Sequence, residues 1–218
     1  MGVQTYGHWG RPVLVFPSEG GHAEEFAERG MVAAVQDLID AGRVKFYCVD
    51  APSTRDWLAA PEAYRDWIVD QVVPHIRTET GAAAEIVTAG VSLGAFHALN
   101  VAFQRADLFP LALCLSGNYD PATWGRGVDA PYFHNPMAYV PNLHGDHLGW
   151  LRSRLSVLLV CGQGQWEDTT GALDATRRMA GLLAEKGIRH ELDLWGHDVP
   201  HDWPSWRAQL AHHLPRFC

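Results

Sequence analysis

The chain has 218 residues, 47% of them hydrophobic and only 19% charged, which suits one globular α/β domain and excludes a disordered or low-complexity segment. Its formal charge of -8 at pH 7 sets it against polyanionic partners, so neither nucleic acid nor an anionic membrane surface is expected. No apolar run approaches the ~18 residues needed to span a bilayer, and the opening Met1-Gly-Val-Gln-Thr5 has no basic or apolar leader character, so a cytoplasmic location is expected.

Short apolar runs that end in turn residues alternate with longer helical patterns, the signature of a largely parallel sheet with crossover helices. Tyr6 and its neighbours read as an antiparallel edge, and Arg11 to Phe16 as the first central strand, ended by Gly20-Gly21. A helix is expected from Glu24 to Ala41, then a strand from Val44 to Val49 and a helix from Pro61 to Thr78 that Pro74 kinks or shortens. Next come a strand from Glu85 to Ala89, a helix from Ala95 to Gln104, and a buried strand from Leu111 to Leu115 closed by Ser116-Gly117. From Asn118 to about Asp146 the chain is rich in Gly, Pro, Asn and aromatics without a period, which reads as a cap or lid. Order returns with a strand from Ser156 to Cys161, a helix from Gly171 to Lys186, a strand from His190 to Leu194 and a helix from Pro204 to His213. Cys48, Cys114 and Cys161 sit inside apolar runs, so these and Cys218 are expected as free thiols.

The most informative stretch is Gly90-Val-Ser92-Leu-Gly94, between a β-branched run and a helix-forming one. It has the form of a nucleophile elbow, in which a sharp strand-to-helix turn exposes a serine hydroxyl and the flanking glycines leave room for the turn. A serine hydroxyl is a weak nucleophile at neutral pH and needs a histidine base oriented by a carboxylate. In the α/β-hydrolase chain order the acid follows the serine after a late strand, and the histidine follows the last strand. Gly162-Gln-Gly-Gln-Trp-Glu167-Asp168 supplies two adjacent carboxylates in the first place, and Trp195-Gly-His197-Asp-Val-Pro-His201 two histidines in the second. Asp174 reads as a solvated surface residue, and Asp120 follows the wrong strand for this order.

With Tyr6-Gly-His-Trp-Gly-Arg-Pro-Val-Leu-Val-Phe-Pro17, the Gly20-Gly21 pair, the elbow at Ser92, Cys161-Gly-Gln-Gly-Gln-Trp-Glu167 and His201-Asp-Trp-Pro-Ser-Trp206, nearly the whole chain resembles one family. This is the esterase family of α/β hydrolases, which includes esterase D-like enzymes, feruloyl-esterase-type domains and the antigen 85 mycolyltransferases. The resemblance implies an α/β-hydrolase domain spanning residues 1–218, with no cofactor and a small-molecule ester as substrate. It favours Ser92 as nucleophile, His201 over His197 as base, and Glu167 over Asp168 as acid. It implies an oxyanion hole built from the Leu93 backbone N–H and one from the loop after the first central strand. Glu19 is the donor by register, although Pro17-Ser-Glu-Gly-Gly21 departs from the common His-Gly form of that loop. The Glu19 side chain is then expected to face away from the developing charge or to be tied by a partner such as Arg29.

The implied reaction is ester hydrolysis through an acyl-enzyme. Acyl transfer or thioester cleavage on the same three residues is the alternative, and a binding protein that kept the fold is the remote one. No phosphate-cradling Gly-rich loop is visible, so no nucleotide is implied. His134, His144 and His147 with Asp146 have metal-like composition but no standard zinc spacing, and are read as a solvated lid. His22 is read as a loop histidine without a catalytic role. Trp124, Tyr132, Phe133 and Tyr139 are candidates for an acyl pocket or for packing the cap, and Trp203 and Trp206 for fixing the histidine loop.

Overall fold

The computed structural model describes residues 1–81, 84–125 and 130–218. Seven strands form one sheet in the order β1-β3-β2-β4-β5-β6-β7. They are β1 (Val3–Tyr6), β2 (Arg11–Phe16), β3 (Val44–Val49), β4 (Val87–Val91), β5 (Leu111–Leu115), β6 (Ser156–Cys161) and β7 (Arg189–Leu194). All neighbours are parallel except β1, which pairs antiparallel with β3. The sheet, its helices and the position of Ser92 are those of an α/β hydrolase fold.

Helices cover both faces, which is why β2, β4 and β5 are buried throughout or nearly so and read as continuous apolar runs rather than alternating ones. Along β2, Val13 and Val15 face a core completed by Phe26, Ile39, Trp206 and Leu210, while Leu14 and Phe16 face one completed by Ile68, Ile76, Phe96 and Leu99. The edge strand β7 is polar on its open side, where Glu191 pairs with Arg216 at 2.6 Å, and this blunts the edge against strand addition.

The helices are α1 (Glu25–Glu28), α2 (Gln36–Asp40), α3 (Thr54–Ala59), α4 (Pro61–Trp67), α5 (Val73–Thr80), α6 (Leu93–Gln104), α7 (Pro136–Tyr139), α8 (Gly145–Arg154), α9 (Ala172–Glu185) and α10 (Trp203–His213). Four expectations are corrected here. The single helix expected over 24–41 is broken into α1, a short turn and α2, because Gly30 takes a φ of 74° and reverses the chain. The strand expected at Glu85 to Ala89 lies two residues later, its last residue reaching Val91, so that Ser92 emerges at the carboxyl edge of the sheet. The helix expected over 61–78 has a π turn at Ile68–Val72 just before Pro74, whose missing N–H cannot join the ordinary i→i−4 ladder.

The fourth concerns the lack of regular elements expected in the cap-like segment. Asn118 to Asp146 is not loop throughout but carries α7, the start of α8 and three short 3₁₀ turns; residues 126–129 of it lie outside the described residues. α3 is an addition to the expected elements. It is nucleated by Ser53, whose hydroxyl accepts from the Asp56 N–H at 3.2 Å while donating to the Asp56 carboxylate at 2.7 Å. The cysteines are free, with Cys48, Cys114 and Cys161 buried. Among the described residues no helix is long and apolar enough to cross a membrane.

Candidate active site

Ser92 links β4 to α6 with φ 53° and ψ -121°, a region that non-glycine residues avoid and that persists only where the surroundings enforce it. The enforcement is visible at the two flanking glycines. A Cβ on Gly90 would lie 2.3 Å from the Gly94 carbonyl, and one on Gly94 only 2.2 Å from the Pro17 carbonyl oxygen. Strand, helix and the end of β2 therefore meet at backbone contact, and the serine is pushed out above them.

Three segments far apart in sequence converge there. The His201 Nε2 lies 3.1 Å from Ser92 Oγ, and its Nδ1 lies 2.9 Å from Glu167 Oε2. Because a carboxylate only accepts, Nδ1 carries the proton and the bare Nε2 faces the serine hydroxyl. Of the paired alternatives, Glu167 is completely buried against this ring whereas Asp168 is exposed, and His201 is in the cluster whereas His197 is exposed and outside it.

Burying a carboxylate is costly unless its lone pairs are filled. Glu167 Oε1 accepts from the Ser116 hydroxyl at 2.6 Å and from the Gly162 N–H at 3.2 Å, and Oε2 accepts from the Cys161 thiol at 3.3 Å as well as from His201. Burial and the neighbouring carboxylate push the Cys161 thiol well above its usual range, so it stays a proton donor. Ser116 has φ 50°, and this unusual backbone at the end of β5 is what presents its hydroxyl to the acid. The residues before β6 and after it gave no sequence signal for that role; Ser116-Gly117 reads only as a strand end.

The histidine loop is held in three ways. The His201 N–H donates to Gln165 O at 2.9 Å, Trp206 stands edge-on to the ring at 4.9 Å, and Asp202 caps α10 by accepting from the Ser205 N–H at 3.1 Å. Trp203 in turn packs edge-on against Trp206, which is the fixing role expected of the pair.

Ser92 and Leu93 line a cleft of about 310 Å³ together with Glu19, Thr54, Asn118, Thr123, Trp124, Thr169 and Thr170. Among the described residues the backbone N–H groups of Leu93 and Glu19 have no acceptor in the protein, while that of Ser18 is taken by Glu25 at 2.8 Å. The amino terminus of the twelve-residue α6 points into the same cleft and favours negative charge there. A larger hollow of about 570 Å³ opens at the other end of the sheet, lined by Arg11, Arg154 and Arg189 among others. The cleft at Ser92 is the one outside the carboxyl ends of the parallel strands, where open α/β sheets place their ligands.

Other expected residues fall elsewhere. The Glu19 carboxylate is tied by the Thr54 hydroxyl and not by Arg29, whose guanidinium lies 5.5 Å over the Trp203 ring. Of the aromatic candidates only Trp124 lines the cleft; Tyr132, Phe133 and Tyr139 border a separate hollow with Phe103 and Leu143. Of the residues read as a solvated lid, His134 is instead buried beside Glu62 at 3.4 Å, while His147 stacks on Trp150. Asp120 is bonded to Arg178 at 3.1 Å, which also lies 3.6 Å from Asp174. His22 sits exposed beside Glu24 and Glu28.

A family model described as "Putative esterase" matches residues 16–217, which takes in the elbow, both converging loops and strands β3 to β7. The chain belongs to the esterase family. The family's description supports carboxylic ester hydrolysis. Among solved structures it is similar to a ferulic acid esterase (18% identity, covering 95% of this chain and 84% of the other, TM-score 0.74). It is also similar to an S-formylglutathione hydrolase from Agrobacterium tumefaciens (12% identity, 96% and 83% covered, TM-score 0.72) and to MPT51 from Mycobacterium tuberculosis (15% identity, 98% and 91% covered, TM-score 0.66). At these identities the likeness is one of fold. No curated protein matches the sequence.

Proposed function

We propose that this esterase-family protein hydrolyses carboxylic esters of small molecules through an acyl-enzyme on Ser92. The observation that carries the reading is the His201 ring, set between Ser92 Oγ at 3.1 Å and the buried Glu167 carboxylate at 2.9 Å. In the first half-reaction Ser92 Oγ attacks the ester carbonyl carbon and its proton passes to His201 Nε2. The carbonyl oxygen takes the negative charge and is met by the Leu93 and Glu19 N–H groups, each worth about 3 kcal/mol to the transition state in comparable sites.

Collapse breaks the bond to the alcohol oxygen, which leaves with the proton from His201. Water then attacks the acyl carbon, His201 takes the water's proton and returns it to Ser92 Oγ as the acid departs. Glu167 remains ionised throughout, holding the tautomer and stabilising the imidazolium. The chemistry needs no cofactor.

The test is labelling with a fluorophosphonate probe, which reacts with a serine only when a base has activated it. The folded wild type is expected to carry the probe on Ser92, with labelling lost in Ser92→Ala and in heat-denatured protein. A folded wild type that takes no label would remove the reading in favour of a non-catalytic binding role.

A further inference from the structure

Away from the Leu93 and Glu19 N–H groups, the hydroxyl and amide side chains lining the Ser92 cleft give their protons to the protein. The Thr123 hydroxyl donates to Asp120 O at 2.8 Å, and the hydroxyls of Thr169 and Thr170 donate to Trp166 O at 3.4 and 2.7 Å. The Thr54 hydroxyl donates to Glu19. The Asn118 amide spends both of its N–H bonds internally, on Thr123 Oγ1 at 3.0 Å and Thr170 O at 2.9 Å. The hydroxyl and amide protons of these five side chains are therefore turned back into the protein, and apart from the Leu93 and Glu19 N–H groups beside Ser92 and the Trp124 indole the cleft is short of donors.

Among the described residues Glu19 is the charged one lining the cleft; it is exposed, with one carboxylate oxygen held by Thr54 and the other free among the same residues. Trp124, packed edge-to-face at 4.8 Å on Phe96, lines the same cleft. A carboxylate with a free oxygen, an indole, and hydroxyls whose protons are already committed suit a ligand group that brings a positive charge and its own donors. A carboxylate-bearing substrate meets repulsion at the same place, and a plain alkyl chain leaves the acceptors without partners.

Resting on the esterase reading above, we infer that the preferred substrates are small esters carrying a primary ammonium group, selected by the side chain of Glu19. Glu19 thus has two separate contributions: its backbone N–H to the oxyanion and its carboxylate to the choice of substrate.

The experiment compares kcat/KM for the p-nitrophenyl esters of aminocaproic, heptanoic and adipic acids, which differ at the far end in being cationic, neutral and anionic. The wild type is expected to rank them in that order with steps of about five-fold, the order of one unit charge met across about 4 Å of water. In Glu19→Gln the backbone N–H is kept and each step is expected to shrink by about that factor. Butylamine is expected to inhibit the wild type competitively and Glu19→Gln about five-fold more weakly. Equal rates across the three esters, or a ranking unchanged in Glu19→Gln, overturns the inference. Fluorophosphonate labelling of the same samples separates the two levels: labelled Ser92 with no ranking defeats the substrate class alone, and unlabelled Ser92 defeats the esterase reading with it.

Discussion

Ser92→Ala is expected to lower kcat for p-nitrophenyl acetate by about 10⁴-fold or more, with the melting temperature unchanged within about 2 °C. The loss is large because the acyl-enzyme route disappears, and His201 and Glu167 are left without a nucleophile to activate. Residual turnover comes from the oxyanion donors and the α6 dipole acting on a water attack. Stability is spared because the Ser92 hydroxyl has His201 as its hydrogen-bond partner and little else, and alanine keeps the Cβ that already occupies the strained position. Steady-state hydrolysis and thermal unfolding of the same preparation check both halves. Retained turnover would mean that another group attacks the ester.

Gly94→Ala is the substitution expected to cost most in the scaffold. Its Cβ would fall 2.2 Å from Pro17 O and 2.3 Å from Phe16 O, both main-chain atoms with no rotamer to escape by. The helix must back away from the end of β2, at about 3 kcal/mol for an overpacked contact of this kind, which lowers the melting temperature by roughly 6 to 12 °C in a chain of this size. Activity should fall further than stability requires, by about 10- to 100-fold, because the displaced Pro17–Glu19 segment carries one of the two proposed oxyanion donors. Gly181→Ala in α9 is the control. Its Cβ meets nothing within 4 Å, so a gain of about 0.5 to 1 kcal/mol in stability is expected and no loss of activity. If Gly94→Ala behaved like the control, the elbow would not be the tight junction described.

The contrast between what the residues announce and what only the fold reveals follows from burial. Arg11–Phe16, Val44–Val49, Leu111–Leu115 and Ser156–Cys161 are strands whose limits can be read directly, since a strand covered on both faces is apolar from end to end and stops where water begins. α8 is hidden for the opposite reason: Gly145 and Gly149 weaken its propensity, and only Leu148 and Leu151 among its ten residues are buried. The break at Gly30 is a matter of one φ angle in an otherwise helical composition. Ser92, Glu167 and His201 stand out as candidates because the elbow and the order of the loops constrain them, and only the fold shows that of the neighbours Glu167 and Asp168 one is buried against the histidine and the other exposed. Ser116, Cys161 and the Gly162 N–H around Glu167, and Thr54 on Glu19, come together from segments 5 to 51 residues apart, and no local pattern marks such meetings.

The proposed reaction turns on a covalent intermediate at one oxygen. Wild-type protein mixed with p-nitrophenyl acetate, quenched in acid within the first turnovers and digested, is the most direct test by mass spectrometry. An acetyl group on the peptide containing Ser92, absent from Ser92→Ala, is the expected result; a quenched enzyme that has released p-nitrophenol but carries its acetyl group on another residue would contradict it.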